Sequence, residues 1–361
     1  MTRLLMIPLA VVAAATGLSF SAAATYGQEQ IVPRRMESIP VHIQERRRLK
    51  RSKLLDELKT LPSSTSIVPY AVIVEAVKWK PGRTVTVAFL GGSSDLHANI
   101  ERVAAEWSNY ANIKFDFGRD NATGRYRTWT TNDKDYKADI RISFHYEGYW
   151  SAVGLESRDK DIVKPHEASM NFGGFHEGTP ADWEGTVRHE FGHAIGLEHE
   201  HQHPQEGCDW RWSDDPGYKP TKGQYGEFIV DSSGKFPGIY RVLGGPPNKW
   251  EKDVVDRNLK QLANSSAYTF GPFDKYSIMK YHFDAWMFLK GKASPCYSAH
   301  SNDELSKDDK TRIAVYYPKD PLVAETLTKT QLDQILSLTP LLSSSPQLKG
   351  QLQRIQIELK K

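Results

Sequence analysis

His189-Glu190-Phe191-Gly192-His193-Ala194-Ile195-Gly196-Leu197-Glu198-His199 reads as a helix that ends and turns back on itself. Four residues span about one helical turn, so His189 and His193 leave the same face and can meet one metal ion. Glu190 is rotated by about 100° from His189, which puts its carboxylate beside the ion rather than on it. From there it can accept a proton from a bound water. Gly196 can take a left-handed conformation and end the helix, letting the chain return with His199 as a third ligand. Three neutral nitrogens leave a fourth position open, the donor set of a catalytic zinc site rather than a structural one. A His-Glu-x-x-His match alone also occurs in ordinary helices as a solvated histidine cluster; the glycine and third histidine make this one specific. No spacing requires His201 and His203, which are expected beside the ligands or at the surface.

Composition sets wider bounds. The chain has 361 residues, room for one large domain or two modest ones. With 39% hydrophobic and 25% charged residues it is an ordinary globular sequence with material for a core. A net charge of +3 gives no basic face for nucleic acid, so no nucleic-acid partner is expected. Two cysteines can build neither a disulfide scaffold nor a four-thiolate metal site. The twelve histidines are what composition leaves unexplained.

The amino terminus has the order of a secretory signal. Arg3 is followed by an apolar run from Leu4 to Leu18 and by Ala22-Ala23-Ala24, which places cleavage near residue 24. The run is shorter than the ~20 residues of a spanning helix, and no later segment reaches that length, so no stable membrane insertion is expected. Export makes a disulfide between Cys208 and Cys296 possible, two separate thiols being the alternative. Asn121-Ala122-Thr123 and Asn264-Ser265-Ser266 are glycosylation sequons in a eukaryotic host.

Residues 25–78 lack strand alternation and read as a propeptide. Within them Glu45 to Leu61 has the pattern of a basic amphipathic helix, with Leu54, Leu55, Leu58 and Leu61 on one side. Arg48-Leu49-Lys50-Arg51 reads either as a dibasic processing site or as a solvated charge run. From Trp79 the composition shifts. Val85, Val87 and Phe89 alternate as a strand; a helix opened by Ser93 or Ser94 carries Leu96, Ile100, Val103 and Trp107. Strand patterns follow at Ile113–Phe117, Ile140–Phe144 and Ser169–Phe172. This order reads as a mixed α/β layer fold with the active-site helix packed on a twisted sheet. Residues 207–271 are irregular except for one helix, for which Asn248 is the expected cap and Glu251 the partner in a capping box. Ser306-Lys307-Asp308-Asp309 opens another. The expected units are 1–24, 25–78, a catalytic domain 79–320 divided near residue 200, and a helix-prone tail 321–361 of unassigned role.

A second chemical element is Asp274-Lys275-Tyr276-Ser277-Ile278-Met279-Lys280-Tyr281. Met279 is a candidate apolar floor beneath the three histidines. Tyr281 is a candidate hydroxyl for the metal or for a developing oxyanion, the alternative being an ordinary buried tyrosine.

These residues resemble the metzincin zinc endopeptidases and lean toward the astacin-like branch. The resemblance runs from Trp79-Lys80-Pro81-Gly82 to about Pro318, through Ala138-Asp139-Ile140-Arg141-Ile142, Trp150-Ser151, Gly245-Pro246-Pro247-Asn248 and Leu305-Ser306, and is similar to secreted microbial and fungal metalloproteases. It implies an α+β zincin-like fold with an irregular C-terminal subdomain, one catalytic zinc ion, ligands His189, His193 and His199, and Glu190 as general base. It further implies Met279 as the turn methionine, Tyr281 as a switchable ligand and Glu200 as the residue that meets the mature amino terminus. Ser169, Met170, Asn171 and Phe172 would form the edge strand that pairs with an extended substrate. Three departures stand out: Lys280 replaces the usual histidine, the four-cysteine pattern is missing, and residues 25–78 hold neither an aspartate-switch motif nor a cysteine switch.

The function implied is a secreted endopeptidase made as a zymogen and acting on protein or peptide substrates as a monomer. Rival readings are a non-catalytic secreted binding or adhesion module and a matrixin-like protease with structural calcium. Glu190 argues against the first, since a binding module has no chemical need for it. Glu200 and Tyr281, with no clear run of calcium ligands, argue against the second.

Overall fold

In the computed structural model, residues 31, 36–37, 39–59, 77–205, 207–262, 271–338 and 345–361 are described. The expected signal peptide, Leu61 and the Asn264 sequon lie outside them.

The sheet is built around β1 (Thr84–Leu90), whose Val85, Val87 and Phe89 are all fully buried. Beside it lie β2 (Lys114–Asp116) and β3 (Ile140–Ser143), followed by β4 (Tyr149–Ser151) and β5 (Met170–Phe172). Their order is β2-β1-β3-β5-β4; the first four run parallel and β4 closes the sheet antiparallel. This corrects the expected substrate edge. Residues 170–172 form an interior strand paired on both sides, and Ser169 precedes it; the free edge is β4. The misreading has a physical source. Met170, Asn171 and Phe172 are all buried, as an interior strand requires, whereas three-residue β4 is too short to show a period.

Two helices were foreshadowed by their caps. Ser93 accepts from the Leu96 N–H to start α2 (Ser94–Ala104). The helix bearing the histidines is α3 (Trp183–Ala194), buried along most of its length, with Phe191 edge-on to Phe115 beneath the sheet. Beyond it the chain forms a second apolar cluster around Trp210, Ile239, Leu259, Phe283 and Phe288. The short strands β6 (Thr221–Lys222) and β7 (Phe228–Ile229) and the helices α4 (Ile239–Gly244) and α5 (Lys252–Leu259) belong to this part. A Cys208–Cys296 disulfide ties its ends.

The expected capping box of α5 does not form. Glu251 itself is the cap residue and makes no side-chain cap bond, while the Asn248 side-chain Oδ1 accepts from the Met36 N–H at 2.8 Å. The Asn248 amide is taken by a distant segment that local sequence cannot reveal. In contrast, Ser306 and Asp309 cap α6 (Lys307–Tyr316) reciprocally, as read.

The termini meet each other. Helix α1 (Val41–Lys59) packs Leu54 against α7 (Pro321–Leu338) and α8 (Pro346–Lys360), in a cluster with Ile335, Leu348, Leu352, Ile355 and Leu359. Glu57 accepts from the Gln347 and Leu348 N–H groups, capping α8 from outside. The tail therefore has a partner, and that partner is the amino-terminal segment. Among the described residues no helix is long and apolar enough to cross a membrane.

Candidate metal centre

Helix α3 ends as its glycine requires. Gly196 adopts φ +98°, its N–H donates to His193 O at 2.8 Å, and the Leu197 N–H donates to Gly192 O at 3.0 Å. This is a Schellman closure, and it reverses the chain so that His199 returns toward His193. The remaining helix-end carbonyls are tied down as well. Trp79 Nε1 donates to Ala194 O at 2.8 Å and the Tyr317 hydroxyl to Ile195 O at 2.7 Å. Gly192 answers a different constraint: a Cβ there would collide with Met279 Sδ and sit 3.2 Å from the Trp107 ring. The buried Met279 thus lies directly against the metal helix.

The turn carrying Met279 is fixed by Asp309, which accepts from Ser277 Oγ at 2.7 Å and the Ile278 N–H at 2.8 Å. One side chain caps α6 and holds the turn. Glu200 accepts from the Asp274 N–H at 2.7 Å and pairs with Arg312 at 3.0 Å, so in this form of the chain it already has a cation. Lys280, at the first departure from the family pattern, is buried and donates to Tyr281 O; burial lowers it to about 8.

Three imidazoles converge. His193 Nε2 lies 3.0 Å from His199 Nε2. The Nδ1 atoms of His189 and His193 are 2.6 and 2.7 Å from Ile278 O and Leu197 O, which leaves each Nε2 as an acceptor facing the centre. Burial lowers His199 to about 4, whereas His193, also desolvated, is held up by the neighbouring Glu37.

A fourth group, which no sequence pattern announces, completes the cluster. The Glu37 carboxylate stands 3.0 Å from His189 Nε2, 3.1 Å from His199 Nε2 and 3.5 Å from His193 Nε2. All four donor atoms lie within 4.8 Å of one another. A tetrahedron with bonds of ~2.05 Å has edges of about 3.3 Å, so the donor set and its spacing fit a tetrahedral metal such as zinc. Burial works against the Glu37 charge, but the three imidazoles outweigh it and hold its carboxyl well below the usual range.

Besides His189 Nε2, which faces the centre, Glu190 Oε2 and the Tyr281 hydroxyl are buried beside this cluster without a hydrogen bond of ordinary geometry. Buried polar atoms in a native core are normally satisfied, so such a pair marks a site that receives something. Burial and the nearby Glu37 charge push Glu190 well above the ordinary carboxyl range and Tyr281 above that of a phenol. The Tyr281 ring lies 4.4 Å, centroid to centroid, from His199. His201 and His203 are both buried, correcting the surface option: their Nε2 atoms face Asn258 O and Gly271 O at 2.8 Å.

The amino-terminal helix crosses the same region. Arg47 bridges Glu156 and Glu198 at 2.8 and 2.7 Å, and Arg51 reaches both from farther along α1. Lys50 is buried against Asp159 and Asp161, so the dibasic stretch is a helical, paired surface rather than an open processing site.

Comparison with known proteins agrees with this architecture. No family model and no curated protein matches the chain. Among solved structures it is similar to one of myroilysin, 30% identical, covering 68% of this chain and 98% of that one with a TM-score of 0.52. A second myroilysin structure is 26% identical, covering 79% and 99%, with a TM-score of 0.42. High choriolytic enzyme 1, a hatching enzyme zinc-protease from Oryzias latipes (medaka fish), is 18% identical, covering 67% and 95%, with a TM-score of 0.37.

Proposed function

The chain belongs to the astacin-like metzincins and is a zinc-dependent endopeptidase; from that premise we propose that His189, His193 and His199 hold one catalytic zinc ion and that Glu190 is the general base. The observation that carries the assignment is the convergence of three imidazoles and one carboxylate, with the unpartnered Glu190 beside them. When bound, the ion polarises the scissile carbonyl and makes a water acidic near neutral pH. The protein's own groups do the rest. Glu190 takes the proton of the attacking water and delivers it to the leaving amine. Tyr281 offers its hydroxyl to the carbonyl oxygen as negative charge develops. Met279 and Gly192 keep the helix at its distance from the turn, and β4 offers unpaired backbone groups to an extended substrate.

Residues 25–78 act as a propeptide in this reading. Glu37 takes the position a water needs, and its charge sits where a substrate carbonyl would approach. Its departure opens the centre, after which Glu200 becomes available to a new amino terminus only by sharing or leaving Arg312. A leader at 1–24 and the disulfide support a secreted enzyme.

The test is hydrolysis of casein by the full-length chain after processing, with and without a zinc chelator, beside Glu190→Ala. Expected is loss of cleavage by chelation, recovery on adding zinc, and a fall of about 10²–10⁴ in kcat for the variant. Cleavage that survives both treatments would overturn the assignment.

A further inference from the structure

Two cavities flank Glu37. One of about 220 Å³ is lined by Tyr149, Glu190 and Tyr281; the other, of about 440 Å³, by Ser151, Val153, His193, Glu198 and His199. Strand β4 leads from the first to the second, so an extended chain laid along this edge passes through both. The larger cavity is closed on its far side by α1, through Gln44, Arg47 and Arg51. What α1 inserts there is a guanidinium. Arg47 Nη2 is 2.7 Å from Glu198 Oε1 and Nε is 2.8 Å from Glu156 Oε1, one planar fork held by two carboxylates.

We propose that Glu156 and Glu198 form a specificity subsite for an arginine or lysine side chain of the substrate, on the Val153 side of the metal centre. The inference rests on the reading above, in which residues 25–78 leave on activation. Among the described residues, the ion pairs of Glu156 and Glu198 are with Arg47 and Arg51 alone, both on the departing segment. Their side chains are only 6% and 20% exposed in the full-length chain. Two carboxylates in so sheltered a place favour a cation when they lose one. Among the described residues the catalytic part lines the larger cavity with a single arginine, Arg257, which is paired with Asp253 at 2.5 Å rather than with Glu156 or Glu198. The other acidic partners of α1 differ in kind. Glu167, Asp159 and Asp161 bind Arg46 and Lys50, neither of which reaches Glu198, whereas Glu156, itself outside the cavity of His193 and His199, holds the same Arg47 guanidinium as Glu198. The first three serve docking, whereas Glu198 borders the reaction centre.

The experiment uses the full-length protein carried through its own processing and loaded with zinc. Matched peptides carry Arg, Gln or Glu at each of three positions on either side of the scissile bond. Expected is a kcat/KM for Arg over Gln of at least about tenfold at one position on one side only, with Glu lowest. The preference collapses in Glu156→Gln and Glu198→Gln, through KM more than kcat, and is retained in Glu156→Asp. It also shrinks as salt rises. Equal cleavage of Arg and Gln peptides at every position would overturn the subsite and leave the protease standing. A Glu preference would do the same. Failure to cleave any peptide would instead overturn the protease reading, and this inference with it.

Discussion

The metal helix and the amino-terminal helix are held to the same molecule by opposite means. Around α3 the bonds are short-range and enclosed: Trp79, Trp107 and Tyr317 donate to Ala194, Arg188 and Ile195 carbonyls, and Met279 fills the space left by a missing Cβ. Around α1 the grip is made of long side chains, Arg46, Arg47, Lys50 and Arg51, reaching carboxylates, with a small Leu and Ile cluster shared with α8. Enclosed hydrogen bonds and close packing give a site that keeps its geometry. Ion pairs between long side chains, some sheltered and some partly exposed, give a contact that forms specifically and can be undone. If residues 25–78 are the propeptide proposed above, a permanent centre and a removable cover need this difference.

Glu37 joins the two regions, and its removal should produce the largest effect. The intact Glu37→Ala chain is expected to hydrolyse a small peptide at least about tenfold faster than the intact wild type, since a charged contact is worth about 1.5–3 kcal/mol. Initial rates would be taken before mass spectrometry detects loss of the amino-terminal segment. An unchanged rate would mean that the α1 grip, not the carboxylate, keeps the centre closed.

Packing damage of comparable size should have different consequences in the two places. Leu352→Ala removes a buried side chain from the α1–α8 cluster, an expected cost of about 2–5 kcal/mol if the contact is intact. Its signature would be faster hydrogen exchange confined to residues 41–59 and 345–361. Gly192→Ala overpacks the metal helix against Met279, costing about 1–3 kcal/mol. It would lower the thermal midpoint of the whole catalytic part and loosen metal retention. If Leu352→Ala also lowered that midpoint, the termini would belong to the core rather than cover it.

What the sequence revealed divides along the same line. The convergence of the three histidines, the places of Glu190, Gly196 and Met279 beside them, and the Ser306–Asp309 capping box were legible because they depend on spacings of a few residues along one element. Glu37 was not, since a lone glutamate in an irregular stretch carries no period and its partners lie beyond residue 188. Asn248 misled for the same reason: a good cap residue three before Glu251 was engaged by Met36 instead. The edge strand was misplaced because burial on both sides erases alternation in β5, while β4 is three residues long. Local rules recovered the centre, and long-range contacts decided its cover.

The smallest effect expected is that of salt. Raising ionic strength from about 0.05 to 0.5 M shortens the screening length to a few ångströms, which weakens exposed pairs more than sheltered ones. The α1 contacts are mixed. Arg46 and Glu167 are 22% and 20% exposed, and Lys50 only 7%. Exchange in residues 41–59 should therefore rise by a factor of only a few, while exchange in α3 stays constant. The increase should be larger for Arg47→Gln, which removes the closer of the two arginines that bridge Glu156 and Glu198 and leaves more of the contact to the exposed pairs. No response to salt in either protein would place the grip in the Leu54 and Leu352 cluster. Release would then depend on cutting the chain rather than on loosening its charges.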